Sequence, residues 1–193
     1  MQTLADLRGW SPLIALQVEY SLVQRTVERD LLPMANALGL GVTAWSPLGM
    51  GVLAGKYDRA ALAAGKRDAV GVTGTRQQVA LTHDMLSERN LAIADVVKAI
   101  AAEHGRSPAQ VALAWLLLRP GAGAIPIVGA RTLAQFEDNL GALDVQLSQD
   151  DQRRLDEASA VPLGFPHDFL RLPVPRNNIF GGTQVRVSAA QRG

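Results

Sequence analysis

Two stretches of this chain carry residue types that chemistry needs. The first reads Ile125-Pro-Ile-Val-Gly-Ala-Arg-Thr-Leu-Ala-Gln-Phe-Glu-Asp-Asn139. Its apolar opening reads as a strand ending at Val128. Gly129 has no Cβ, so backbone can turn there or approach a ligand closely. Thr132 with Gln135 three residues on has the pattern of a capping box, which predicts a helix start. Strand, glycine turn and helix start together leave unpaired first-turn N–H groups around a pocket suited to an anion. Arg131 adds a permanent charge whose planar donors suit phosphate. An ordinary βα turn with a solvated arginine fits the same residues.

The second stretch is Ala44-Trp-Ser-Pro-Leu-Gly-Met-Gly-Val-Leu-Ala-Gly-Lys-Tyr57. Trp45 at a strand end offers a flat face for stacking and Ser46 a hydroxyl; a core tryptophan is the other reading of Trp45. Gly49, Gly51 and Ala54 match a loose G-x-G-x-x-G/A pattern. The match is weak, because Ser46-Pro-Leu48 separate the strand from the first glycine and no acidic residue lies at a second strand end about 20 residues later. Upstream, Gln17 both donates and accepts, so it suits an amide partner, or a structural bridge.

Other chemistries find no support. His83, His104 and His167 have no metal-ligand spacing among them, no G-x-S-x-G elbow is present, and Asp84 with Glu88 reads as a solvated helix face. With no cysteine, thiolate metal sites, disulfides and cysteine nucleophiles are excluded. Nineteen basic residues against 18 acidic ones give no general attraction to nucleic acid or anionic membrane. The first residues lack the basic and apolar regions of a signal peptide, and no apolar run reaches the roughly 20 residues of a membrane span. Cytoplasm is the expected location.

The elements that must position these residues are legible in outline. A helix end is expected near Leu4 to Leu7. Leu13-Ile-Ala-Leu-Gln-Val-Glu-Tyr20 reads as a strand buried on both faces, as in a parallel sheet. A helix follows over residues 30–38, with Pro33 acceptable only in its first turn, and Gly39 and Gly41 bracket its stop. Gly41-Val-Thr-Ala-Trp-Ser-Pro47 is a second strand running into a turn, and residues 56–76 read as a long loop. Ser87 caps a helix over 88–104 closed by Gly105. Ser107-Pro108 opens a very apolar helix over 109–118, and Ser148 with Asp151 starts a last helix to about Ala158. From Pro162 the chain is rich in proline and glycine and reads as an ordered tail or a flexible extension. Alternating strands and helices argue for an α/β fold with parallel strands. Three strands cannot close a barrel and leave two open edges.

These motifs resemble the aldo-keto reductase family, closest to its bacterial members and to the related potassium-channel β-subunits. The resemblance rests on Ala15-Leu-Gln-Val-Glu-Tyr20, on the Ala44 to Tyr57 stretch, on Ile125 to Arg131 with Gln135 and Asp138-Asn139, and on the tail motifs Gly164-Phe-Pro-His-Asp-Phe-Leu170 and Ile179-Phe-Gly-Gly182. It implies a partial (β/α)₈ TIM barrel, the C-terminal half with about three parallel strands, the sixth to eighth, and their helices. Residues 1–193 would form a single partial domain, with 1–160 the barrel half and 161–193 the tail.

The resemblance also implies NADP, as NADPH, as cofactor. Gln17 matches the residue that holds the nicotinamide carboxamide, and Trp45 the aromatic position that stacks on the ring. Ser46, Pro47, Leu48, Gly49 and Met50 match the loop over the pyrophosphate, with Lys56 a candidate to reach it. Gly129, Ala130 and Arg131 match the segment facing the adenosine phosphate, where Arg131 would favour a 2′-phosphate. Gln135, Asp138 and Asn139 match the residues facing adenine. The family's catalytic Asp, Tyr, Lys and His have no counterpart here, and neither Tyr20 nor Tyr57 matches the catalytic tyrosine. The expectation is therefore a cofactor-binding part of a reductase of small-molecule carbonyls, inactive alone and prone to associate through its open strand edges. The alternative is a non-catalytic nucleotide- or partner-binding remnant.

Overall fold

In the computed structural model, which describes residues 1–67, 80, 84–119, 124–181 and 183, the helix starts follow their caps. The side chains of Ser87, Ser107, Thr132 and Ser148 each accept from the backbone N–H three residues on. This satisfies one of the donors that a first turn leaves unpaired. The elements are α1 (Gln2–Arg8), β1 (Ala15–Glu19), α2 (Leu31–Ala37), β2 (Gly41–Trp45), α3 (Arg59–Arg67), α4 (Glu88–Glu103), α5 (Pro108–Leu117), β3 (Ala124–Pro126), α6 (Leu133–Leu140), α7 (Gln149–Ala158), α8 (His167–Arg171) and α9 (Pro173–Phe180). Pro33 lies in the first turn of α2, where its missing N–H breaks no helical bond.

The three strands form one parallel sheet in the order β1-β2-β3. Register pairs Gln17 with Thr43 and Glu19 with Trp45, and then Thr43 with Ile125. Val18, Val42, Ala44 and Ala124 point to the covered face and are buried. Above them lie Leu91, Ile93, Val97 and Ile100 of α4, and α5, which is apolar from Val111 onward and buried at Ala109 and from Val111 to Leu116. α5 lies against β3, α4 and α6, and α7 lies against α4. His104 Nε2 meets Asp151 Oδ2 at 3.0 Å and ties the end of α4 to the start of α7.

Four expectations need correction. β1 is not buried on both faces. Gln17 is exposed, Ile14 just before the strand is 82% exposed, and Ile125 on the same face of the sheet is 63% exposed. The run reads as doubly buried because apolar content cannot tell which face is covered. Residues 59–67 are helical rather than loop; Asp58 Oδ1 accepts from the Ala61 N–H at 2.8 Å, and alanines fill the turns that follow. Residues 68–76 of that expected loop lie outside the described residues, as do His83 and Gly182. The third strand ends at Pro126, short of Val128. Finally, Gln135 does not complete a capping box, because its Oε1 accepts from the Arg131 N–H at 3.0 Å and not from Thr132. The tail is ordered as α8 and α9 up to Phe180. No helix among the described residues is long and apolar enough to cross a membrane.

Candidate functional site

The loop after β2 departs from ordinary backbone geometry. Ser46 and Met50 both adopt left-handed conformations, at φ 54° and 55°. For residues with a side chain this costs about 1–2 kcal/mol each, and strain of this kind concentrates where backbone is shaped for a ligand. The loop is held from beneath by Gly49, whose φ is +52°. A Cβ there would lie 2.7 Å from Val23 Cγ2, inside the core. Gly49→Ala is therefore expected to destabilise the protein by about 2–3 kcal/mol through combined strain and overpacking, read as a lower urea midpoint at unchanged slope.

This loop forms one wall of a cleft of about 380 Å³ at the C-terminal ends of β2 and β3. Ser46, Pro47, Leu48, Met50, Gly51, Ala54 and Lys56 line it from the β2 side, and Ile127, Val128 and Gly129 from the β3 side. Gln135, Asp138 and Asn139 of α6 and Ser107, Pro108 and Ala109 at the start of α5 complete it. In parallel α/β proteins ligands bind beyond the strand C-termini, and the volume falls in the usual range of roughly 300–1,000 Å³ for small-molecule sites. Gly129 has open space where a Cβ would stand.

Of the residues singled out in the sequence, the structure thus gathers Ser46, Pro47, Leu48, Met50, Lys56, Gly129, Gln135, Asp138 and Asn139 around one cleft. Gly49 lies in the same loop but faces the core. Trp45, Ala130 and Arg131 are exposed and flank lining residues without lining the cleft themselves. Trp45 is 41% exposed, so it is not a core tryptophan. Gln17 is exposed on the open sheet face beside Thr43. Neither Lys56 nor Arg131 has a carboxylate within ion-pair distance among the described residues.

Sequence reasoning missed the start of α5 as a wall of the cleft. Ser107-Pro108 was legible as a helix start, and nothing local tells that this helix start lies beside α6. The contact that shows it is tertiary: Ser107 Oγ donates to Asp138 Oδ2 at 2.9 Å.

Tyr20 stands close to the sheet but outside the cleft. It is buried, and its hydroxyl donates to Glu28 Oε1 at 2.8 Å. Burial first, then the charge of Glu28 and the hydrogen bond to it, push the phenol well above its ordinary value. A proton donor working near neutrality needs the opposite tuning.

The aldo/keto reductase family model matches residues 1–160. The chain belongs to the aldo/keto reductase family. Relatives in this family match most of its length. It is 37% identical over 163 residues to an uncharacterised oxidoreductase, YrpG, of Bacillus subtilis, covering 84% of this chain and 45% of that one. It is 33% identical over 153 residues to a probable aldo-keto reductase 1 of Glycine max, covering 79% of this chain and 41% of that one. Among solved structures, a thermostable aldo-keto reductase, Tm1743, in complex with the inhibitor epalrestat superposes with a TM-score of 0.51 at 27% identity. That likeness covers 77% of this chain and 40% of the other. This aldo/keto reductase chain therefore spans less than half the length of the relatives it matches.

Proposed function

We propose that the cleft is part of an NADPH site and that this chain is the cofactor-binding part of a carbonyl reductase. The observation that carries this reading is convergence: a strained loop, Lys56, the first residues of α5 and Gln135, Asp138 and Asn139 of α6 meet at the C-terminal ends of parallel strands, with Arg131 exposed beside them. The residues present fit a phosphorylated dinucleotide. Gly129 leaves room for backbone to approach a phosphate. Lys56 lines the cleft and Arg131 stands exposed beside it, and both lack a carboxylate among the described residues that would compete with an anion.

In this reading β1, β2 and β3 are the sixth, seventh and eighth strands of a barrel, residues 1–160 are the barrel half, and 161–193 the tail. Gln17 offers an amide to the nicotinamide carboxamide, and Trp45 offers a ring face. Ser46 to Met50 cover the pyrophosphate, and Gly129, Ala130 and Arg131 take the adenosine 2′-phosphate. Gln135, Asp138 and Asn139 face adenine. Reduced nicotinamide, when bound, supplies hydride to the carbon of a small aldehyde or ketone. Tyr20 does not suit the role of proton donor to the carbonyl oxygen, because it is engaged by Glu28 with its acidity suppressed; in this reading the donor belongs to a segment outside this chain. That partner segment would join through the open edges of β1 and β3, in the cytoplasm. The same state of Tyr20 favours a second reading, a nucleotide-binding protein without catalysis.

Both readings predict no oxidation of NADPH when the chain alone meets an aromatic aldehyde, followed by absorbance of the reduced cofactor. Turnover above the blank would overturn the assignment of the proton donor to another segment.

A further inference from the structure

The wall of the cleft formed by α6 is held in place by a pair of residues at the start of α5, Ser107 as its N-cap and Gln110 in its first turn. Ser107 and Gln110 form a complete capping box: Ser107 Oγ accepts from the Gln110 N–H at 3.2 Å, and Gln110 Oε1 accepts from the Ser107 N–H at 3.1 Å. Both side chains have a donor left, and both spend it on one residue of the neighbouring helix. Ser107 Oγ donates to Asp138 Oδ2 at 2.9 Å, and Gln110 Nε2 donates to the Asp138 carbonyl at 3.0 Å. A two-point attachment fixes the rotation of α6 as well as its position, which a single bond does not. Asp138 and its neighbour Asn139 line the cleft, as does Ser107.

The close approach of Gln110 depends on Gly141, at the end of α6. A Cβ on Gly141 would overlap Gln110 Nε2. Its backbone, at φ −59°, is one that alanine adopts freely. The requirement for glycine there comes from the Gln110 side chain and not from the turn.

We propose that Ser107 and Gln110 are positioning residues for nucleotide recognition, holding Asp138 and Asn139 at the adenosine end of the site. This rests on the reading of the cleft as a dinucleotide site. Neither residue touches the nucleotide in this role; each acts through Asp138. The brace orients one end of the site, so losing it weakens binding of the adenosine part and leaves the nicotinamide part untouched.

The experiment titrates the 193-residue chain with adenosine 2′,5′-bisphosphate and, separately, with nicotinamide mononucleotide, by calorimetry. Ser107→Ala removes one bond of the brace, and Gly141→Ala displaces Gln110 from a position outside the cleft. Both are expected to weaken adenosine bisphosphate about tenfold and to leave the mononucleotide unchanged. Ser107→Thr, which keeps the hydroxyl, is expected to restore the adenosine affinity. Wild-type affinity for the bisphosphate with no change in Ser107→Ala and Gly141→Ala would overturn the brace alone. Equal weakening of both probes would make it a purely structural contact and overturn it too. Failure of the wild type to bind the bisphosphate would overturn the nucleotide reading, and the proposed role of the brace with it.

Discussion

Asp156→Ala is expected to lower the unfolding free energy by about 3 kcal/mol. Asp156 Oδ1 accepts from Arg25 Nη1, Trp115 Nε1 and Arg119 Nη1, each at 3.0 Å, and its Oδ2 accepts from Arg119 Nη2 at 3.3 Å. Trp115 is fully buried, and both guanidiniums lie against its ring, Arg119 at 4.3 Å from the centroid and Arg25 at 5.1 Å. The carboxylate therefore satisfies a buried indole and neutralises two cations on the same ring. Alanine would leave the indole donor without its partner and Arg119 without its carboxylate, while Arg25 keeps Glu28. Part of the carboxylate meets water, which keeps the loss at the lower end of what breaking a buried pair costs. Asp150→Ala on the same helix is the control, since it pairs with the exposed Arg153 and such pairs contribute at most about 1 kcal/mol. The two variants would be compared by urea denaturation; equal losses would remove Asp156 from its place as the junction of α5, α7 and the segment after β1.

The largest effect on binding is expected at Arg131. Its guanidinium is exposed and has no carboxylate within ion-pair distance among the described residues, so Arg131→Ala should change stability by less than about 0.5 kcal/mol. A charge-assisted contact to a 2′-phosphate contributes roughly 2 kcal/mol, or about 30-fold in affinity. NADPH, followed by its fluorescence, is therefore expected to bind the variant about 30-fold more weakly, while NADH binds both proteins alike. Arg131→Lys keeps the charge but not the planar fork and should recover only part of the loss. A parallel loss for both cofactors would remove Arg131 from 2′-phosphate recognition.

Local signals in the chain carried further than long-range ones. Ser87, Ser107 and Ser148 marked helix starts because a cap is a contact over three residues, and β1 and β2 were visible as apolar runs. The open face of β1 was not visible, because Leu13, Ile14 and Leu16 look the same whether or not a layer covers them. α3 was missed although Asp58 and the alanines after it are helix-forming, since Gly55 and Lys56 just before them read as the start of a loop. For the cleft, the strand ends with their glycines and Arg131 pointed to the right end of the sheet. Ser107 escaped because its partner Asp138 lies 31 residues away, and its meaning exists only once α5 and α6 are packed.

The central claim is that the cleft between the β2 loop and α6 receives the phosphorylated adenosine end of the cofactor. Amide resonances of the isotope-labelled chain, followed while NADP is added, test it most directly. The account predicts that shifts concentrate at Ser46 to Met50, Lys56, Ser107 to Ala109 and Gly129 to Asn139, with the tail helices still. Shifts confined to α8 and α9, or none at saturating cofactor, would contradict it.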